Sequence, residues 1–557
     1  MRHLTASLVL MSLIAAPLGT AVAQEVVTVA GVETTRVVIA PPQTELARII
    51  KKGLSEAYFG ARRDTRAYQQ AQKLYFFYGA RHFEPLWLVE GPDGKVAFSD
   101  KAKKIMEVFK ASELEGFRPS DYLTPELDVA VAGNDPASLA GLETAFSAAA
   151  IRYAQDAYGG RIAPTEVSRL WTIAPRRVNE AEMLMRLAQS DAPDQILLEL
   201  SPKNREFLAL KAALAKFYDG SVIDAAITIP DGTLLKPGMR DERVTLLRQR
   251  LDVPEPDIPE TAGAAVRVDV TYDPALVEAV KAFQESLGLT ADGVIGPATV
   301  AALNGGSATT KEDIIANMER WRWEPEDYGK FYVHVNIPEF KLVIMDREKL
   351  HYTTRVVVGT PKNQTPMFFD EIEHVVVNPY WNVPASIASN EIAPRLASNP
   401  GYLAGQNMEL LYGGKIVNAA AIDWTTTSIR NFHIRQRPGA GNALGQIKFL
   451  FPNQHDVYLH DTPSKSLFQR SFRAYSHGCI RVQNPMEFAD ALLVHEEGLS
   501  RASLESQFGS REAWNNLKTH IPVHITYFTL RVDEDGTIRS FGDVYGHNQR
   551  MKDLLGL

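Results

Sequence analysis

Between residues 44 and 225 apolar residues recur at intervals of three and four, the spacing that lines one face of a helix. Ala102, Ile105, Met106 and Phe109 form such a stripe behind Ser99 or Asp100, either of which is a natural N-cap. Tyr68 to Tyr78 and Leu139 to Tyr158 predict two more helices, the second stopped by Gly159-Gly160. Further on, Asp241 to Leu251 and Pro274 to Leu287 read as a helix pair, the latter with Leu276, Val280, Phe283 and Leu287 on one face. Pro254, Pro256 and Pro259 break the chain between them, and a turn-rich link through Asp292-Gly293 leads to a last short helix near Pro297. After residue 308 the period drops to two. Phe331 to Asn336, Lys341 to Met345, Tyr352 to Val358, Glu373 to Val377 and Asp456 to Leu459 read as short strands. From 384 to 444 this alternation lapses into helix-like and Gly-rich text, Ala388 to Leu396 and Pro438 to Gly441 among it, which predicts an insertion. The fold class expected is a multidomain α+β chain: a helical N-terminal scaffold, a small three-helix module, and a β-rich, sandwich-like and mostly antiparallel domain with a capping insertion.

A chain of 557 residues exceeds one core and suits two to four domains. Breaks at Pro230-Asp231-Gly232 and near Gly306 divide it into 24–230, 231–306 and 307–557. A formal net charge of −8 argues against nucleic acid or an anionic membrane as the main partner. Met1-Arg2-His3, the apolar run Leu8 to Leu18 and Ala21-Val22-Ala23 read as a secretory signal cleaved after Ala23, with an uncleaved anchor as the rival reading. Residues 24 to 42, ending in Pro41-Pro42, suggest an irregular lead-in. The aromatic run Tyr75 to Tyr78 and Trp87 read as core.

Export changes the meaning of Cys479, the one cysteine of the chain, because a lone thiol in an oxidising setting has no internal disulfide partner. It lies in Ser476-His477-Gly478-Cys479-Ile480-Arg481, where Gly478 frees the backbone to present N–H groups and polar side chains flank the sulfur. His460, in Tyr458-Leu459-His460-Asp461-Thr462, supplies a base, so that a His–Cys pair for acyl transfer is complete. Successive N–H groups of His477, Gly478 and Cys479 suit an oxyanion. The Asp461 side chain reads as a surface turn group, and the resemblance given below implies that its backbone carbonyl orients the imidazole. Arg481 reads either as a carboxylate binder or as a structural partner of Glu487, and Asn484-Pro485 as a helix start. His455, His460, His477, Cys479 and His495 offer metal ligands, but their spacing fits no zinc motif, and no metal or cofactor is called for. His334, His374 and His433 have no motif around them.

These residues resemble the signature of the bacterial L,D-transpeptidases: His460, then a loop, then Ser476, His477, Gly478 and Cys479, with Arg481 and Asn484 in keeping. Asn317 to Trp323 and Tyr380 to Pro384 resemble the flanks of the large multidomain branch. Phe283-Gln284 and Asp292-Gly293-Val294-Ile295-Gly296 are similar to a peptidoglycan-binding module, although Asp292 and Thr299 also read as simple cap and turn residues. The resemblance implies an exported transpeptidase that forms 3→3 cross-links through a Cys479 thioester, with His460 as general base and acid and with Tyr475, Ser476, Trp381, Arg481 and Asn484 around the substrate. It implies peptidoglycan stem peptides and glycan as partners and carbapenem-type β-lactams as inhibitors. Transfer to water or to a protein lysine, and a non-catalytic wall-binding scaffold, stay open as alternatives.

Overall fold

The computed structural model describes residues 24–557 apart from 30–31, 38, 129–135, 220–228, 231, 252, 257–269, 287–290, 297–298, 301, 304–308, 510 and 534. Residues 1–23, where a secretory signal was expected, Pro259 and Pro297 lie outside the described residues. Where an irregular lead-in was expected, Gln24–Val29 and Val32–Val37 pair as an antiparallel hairpin. Their Val and Thr content, favourable to extended backbone, outweighs the weak alternation.

The chain forms two compact units. In the first, the predicted helices appear as Arg66–Gly79, Asp100–Lys110 and Pro136–Gly159, alongside Glu45–Gly60. Ser99 caps the second of these, its side chain accepting from the Ala102 N–H at 3.2 Å. Phe77, Tyr78 and Trp87 are buried in the core with Phe109 and Phe146, as core residues should be. Glu143 sits among them with its carboxyl pushed up to about 7 by burial. The N–H groups of Leu86, Trp87 and Leu88 and the Tyr78 hydroxyl all donate to it, so the polar group is matched and the loop before Leu88 is pinned.

The second unit contains the small module and the β-rich part. Helices Arg243–Leu251 and Pro274–Ser286 bury Val244, Leu247, Leu276 and Val280 together. Gln284 holds the turn that follows: its side-chain amide donates to Asp292, the Val294 carbonyl and Thr299 and accepts from the Gly293 N–H at 2.8 Å. Asp292 also accepts from the Val294 N–H at 2.9 Å, and the Thr299 hydroxyl donates to the Val294 carbonyl at 3.1 Å.

The β-rich part is built on a nine-stranded sheet, with strands β1 (Phe331–Asn336), β2 (Lys341–Asp346), β3 (Lys349–Gly359), β4 (Phe368–Val377), β5 (Ile447–Leu450), β6 (Leu459–His460), β7 (Ala474–Ser476), β8 (Ile480–Val482) and β9 (Ala513–Thr526). The order is β7-β3-β8-β6-β5-β4-β9-β1-β2, and β2 pairs again with the first half of β3, so the sheet folds over on itself around one core. Most pairs are antiparallel, but β6–β8, β7–β3 and β9–β1 are parallel. Alternation decides the faces. Val356, Val358, Val375, Val377, Ile447, Phe449, Leu459, Ile480 and Val482 all enter the core. Their neighbours in sequence, on the other face, fall in register as one row across six strands: Val357, Arg481, His460, Lys448, Val376 and Trp514.

The insertion between β4 and β5 has a core of its own, centred on Ile392, Leu396, Leu410 and Ile434. Its helix-like text folds as Ala385–Ile387, a π turn at Ala388–Ile392 and Ala393–Ser398, but it also carries four short strands, Trp381–Asn382, Met408–Tyr412, Lys415–Val417 and His433–Gln436, that the lapse in alternation had hidden. Three of them are too short to show a period, and Met408–Tyr412 buries three successive residues and so does not alternate.

Because Gln284 is buried and makes four hydrogen bonds, Gln284→Ala should destabilise the module by about 2–3 kcal/mol. Amide exchange should accelerate between residues 292 and 299 and stay unchanged in the β1–β9 sheet. Equal protection in both proteins would contradict the stapling role.

Candidate active site

His460 belongs to β6 itself, one residue later than the predicted strand end, and Asp456 to Tyr458 form the loop leading into it. The parallel register pairs Leu459 with Ile480 and His460 with Arg481. His460 and Arg481 thus lie on the side away from the core, and Tyr458 and Cys479 stand just before their strands, with the Tyr458 N–H and phenol at the sulfur. The rings of Tyr458 and His460 are 5.7 Å apart between centroids. The Ile480 N–H donates to the Tyr458 carbonyl at 3.1 Å, which continues the pairing up to the cysteine. The Cys479 sulfur lies 3.8 Å from the Asp456 carbonyl oxygen.

The imidazole of His460 is buried and its orientation is fixed, with Nδ1 2.5 Å from the Asp461 carbonyl. That contact puts the proton on Nδ1 and leaves Nε2 as the basic atom. The Asp461 side chain is not a surface turn group. It is buried and accepts from the N–H of Thr462 (2.7 Å), the N–H of Gln446 (2.9 Å) and Nζ of Lys465 (2.6 Å). Gly445, at φ +61°, has its Cα against this carboxylate, where a Cβ would come within 2.1 Å of Oδ2. The Asp461 side chain therefore locks the backbone whose carbonyl orients His460.

Ser476 shapes the turn that carries the thiol. Its hydroxyl donates to the Cys479 carbonyl at 2.5 Å and accepts from the Gly478 N–H at 3.2 Å, and the residue is buried. This corrects two expectations: Ser476 is committed inside the turn rather than facing substrate, and the Gly478 N–H is already taken. Among the described residues nothing accepts the Cys479 N–H. Gly478 does have the backbone freedom expected, with φ +119°. Its carbonyl accepts from Thr365 Oγ1 at 2.8 Å. The Thr365 N–H in turn donates to the Tyr545 hydroxyl, which donates to the Gly359 carbonyl. Gly359 has no room for a Cβ, which would lie 2.1 Å from the Asn363 carbonyl oxygen.

The electrostatics of the pair follow from burial. Burial of the thiolate pushes Cys479 up to about 11, although the Tyr458 N–H and phenol and the Arg481 charge pull the other way. His460 is pulled down to about 3, first by burial and then by the Arg481 charge, with Lys448 adding to it. Thiol and imidazole are therefore both neutral at pH 7. Arg481 does not pair with Glu487, whose nearest cation is Arg501 at 3.9 Å. Burial lowers the pKa of its guanidinium, and Nε has no hydrogen-bond partner.

The other expected residues lie further out. His477 points at the insertion, Nε2 2.7 Å from Oε1 of Glu391 in the π turn. The Tyr475 hydroxyl accepts from Arg470 at 3.1 Å. Trp381 pairs with Gln436 and packs on the insertion core. Asn484 precedes helix Pro485–Leu492 as read, but its side chain makes no cap bond. His455 and His495 are engaged with Thr172 and Asp346. Of the described residues, no group of His, Cys, Asp or Glu is arranged to hold a metal ion. The sequence reading passed over Lys448, Tyr458 and Glu391. The first two were signalled by polar positions in Ile447-Lys448-Phe449 and Tyr458-Leu459-His460, whereas nothing in the sequence pointed to Glu391.

Residues 330–503 match the L,D-transpeptidase catalytic domain, residues 240–303 the domain described as "Putative peptidoglycan binding domain", and residues 72–214 a scaffold domain. The chain thus carries an L,D-transpeptidase catalytic domain together with a peptidoglycan-binding domain and a helical scaffold. A "Putative L,D-transpeptidase" of Haemophilus influenzae is 33% identical over 251 residues, 44% of this chain and 50% of that protein. The chain spans about half the length of this curated relative. Among solved structures, an L,D-transpeptidase of Xylanimonas cellulosilytica is 17% identical, with 53% of this chain and 99% of that one covered and a TM-score of 0.16. One from Mycobacterium smegmatis is 13% identical, with 35% and 58% covered and a TM-score of 0.18. TM-scores this low add nothing on fold or chemistry.

If both groups are neutral, alkylation of Cys479 by iodoacetamide should climb with pH past 9 without levelling off. A plateau reached between pH 6 and 8 would mean a preformed thiolate–imidazolium pair and contradict the burial argument.

Proposed function

We propose that the protein is an exported L,D-transpeptidase in which Cys479 attacks the L-to-D peptide bond of a peptidoglycan tetrapeptide stem. The observation that supports this reading is the parallel register that sets His460, its Nδ1 tethered to the Asp461 carbonyl, beside Arg481 at the start of the strand that follows Cys479. As the sulfur attacks the carbonyl carbon, its proton passes to His460 Nε2, and the oxyanion takes the Cys479 N–H. The Gly478 N–H stays with Ser476, and the His477 N–H is the second donor of this proposal. Collapse of the tetrahedral intermediate breaks the C–N bond; His460 returns the proton to the departing nitrogen, and terminal D-alanine leaves with a Cys479 thioester behind. The amine of a second stem, deprotonated by His460, then displaces the thiol and closes a 3→3 link. Because neither group is ionised beforehand, proton transfer accompanies bond formation, and the Arg481 charge meets the developing negative charge near the sulfur.

Domain content supports the setting. The peptidoglycan-binding domain gives the chain a wall ligand, and no helix among the described residues is long and apolar enough to cross a membrane. Carbapenems would acylate the same sulfur, their strained ring carbonyl replacing the stem carbonyl.

Purified mature protein incubated with tetrapeptide muropeptides should yield cross-linked dimers and free D-alanine. Recovery of trimmed tripeptide alone in the presence of abundant acceptor amine would make it a hydrolase, and recovery of neither product would end the enzymatic reading. Carbapenem adduct formation should fall about 100- to 10,000-fold in His460→Ala and vanish in Cys479→Ala, since the two groups act as a unit. His477→Ala, which removes only a side chain paired with Glu391, should keep measurable acylation.

A further inference from the structure

We propose that Lys448 is a binding site for the carboxylate of the amino acid that departs when the donor bond is cut, a deepening of the transpeptidase reading above. Lys448 is on β5 directly opposite His460, with Ile447 and Phe449 on either side of it buried in the core. Its side chain is only 9% exposed. A cation on a side chain this enclosed is costly unless a partner compensates for the lost water. Yet among the described residues its one ion pair is with Glu512 at 4.0 Å, beyond hydrogen-bond length. Glu512 is itself engaged, one oxygen accepting from the Tyr380 N–H at 2.9 Å and the other from Trp514 Nε1 at 3.1 Å. The Lys448 ammonium is instead framed by two rings, 5.8 Å from the Tyr458 centroid and 5.5 Å from that of Trp514. These rings position the cation without supplying an acceptor. Burial lowers its pKa, while Glu512 first and then a Cys479 thiolate would act the other way, which agrees with a group near the reaction centre.

The order of the row says which carboxylate it meets. Arg481 is on the strand of Cys479, two residues further along, so its charge stands on the nucleophile's side. Lys448 stands on the opposite side of His460. Nε2 of His460 takes the proton from the sulfur and returns it to the departing nitrogen, so that nitrogen sits beside the ring, and with Arg481 on the nucleophile's flank the open flank is that of Lys448. The residue bearing that nitrogen therefore comes to lie toward Lys448, and its carboxylate is two bonds from the nitrogen. Opposed side chains on neighbouring strands are about 5 Å apart at Cβ, within reach of a lysine stem. The site thus selects a donor whose scissile nitrogen belongs to a terminal amino acid with a free carboxylate.

The test compares two synthetic tetrapeptide donors, one ending in D-alanine and one in D-alaninamide, with full-length wild-type protein and Lys448→Met. The wild type should prefer the acid by about 10- to 100-fold in kcat/KM, the range of a hydrogen bond to a charged group. In Lys448→Met the preference should fall to near one, with the loss carried mainly by KM for the acid. An unchanged preference in the variant would overturn the proposal, as would equal losses on both donors, which would make the lysine a tuner of the thiolate. A second readout does not depend on turnover: millimolar D-alanine should slow iodoacetamide alkylation of Cys479 in the wild type, D-alaninamide should not, and Lys448→Met should lose the protection. If neither donor is turned over while this protection holds, the reaction assigned above fails and the carboxylate site stands. If donors are turned over with no preference and no protection, the site fails alone.

Discussion

The structure depends on one alternation. In β3, β4, β5, β6 and β8 every second residue enters a common core, and the residues between, Val357, Val376, Lys448, His460 and Arg481, are thereby forced onto the opposite face and into line. Side-chain period in a strand is two, so a slip of one residue would exchange the faces. It would drive two cations and an imidazole into the core and bring Leu459 and Ile480 to the surface, at a cost no local contact would offset. Hydrophobic burial thus fixes the position of the chemistry although none of the reactive groups is hydrophobic.

What the register leaves loose, hydrogen bonds at the strand ends tighten. The Asp461 carboxylate gathers Thr462, Gln446 and Lys465 and so holds the carbonyl that orients His460. Ser476 closes the turn before Cys479, and the Thr365–Tyr545 pair braces its Gly478 carbonyl. The two cations flanking His460 add an electrical constraint, since each disfavours the imidazolium. Burial keeps the histidine neutral and raises the thiol, so neither group is ionised before substrate arrives. The Glu391–His477 contact ties the insertion to the same turn. The insertion's placing and the nucleophile's loop are in this way linked through one side chain.

Much of this was legible in the amino-acid order. Helices with capped starts, such as the one behind Ser99, and strands of five or more residues, such as Phe331 to Asn336, carry enough periods to be read. Cys479 and His460 stand out because of the residues around them. Three kinds of feature escaped. Strands of two or three residues, His460's own and two of the four in the insertion, hold less than two periods. Hydroxyls and amides that bond locally, Ser476 above all, look the same in sequence whether they face substrate or close a turn. Pairings across long separations have no local trace: Glu391 meets His477 and Lys448 meets Glu512 only because the fold brings them together. Arg481, by contrast, had two readings in sequence, and the structure removes one by giving Glu487 to Arg501.

On the function proposed above, a neutral Cys479–His460 pair, held by strand register, becomes an acyl-enzyme on meeting a stem peptide. Rapid quenching of the full-length protein mixed with a D-alanine-terminated tetrapeptide in the absence of acceptor amine, followed by intact-mass and peptide mapping, observes that species directly. The account predicts an adduct equal to the stem less its D-alanine, located on Cys479, appearing in step with free D-alanine. Release of D-alanine with no adduct on Cys479 at any quench time, or an adduct on another residue, would contradict it.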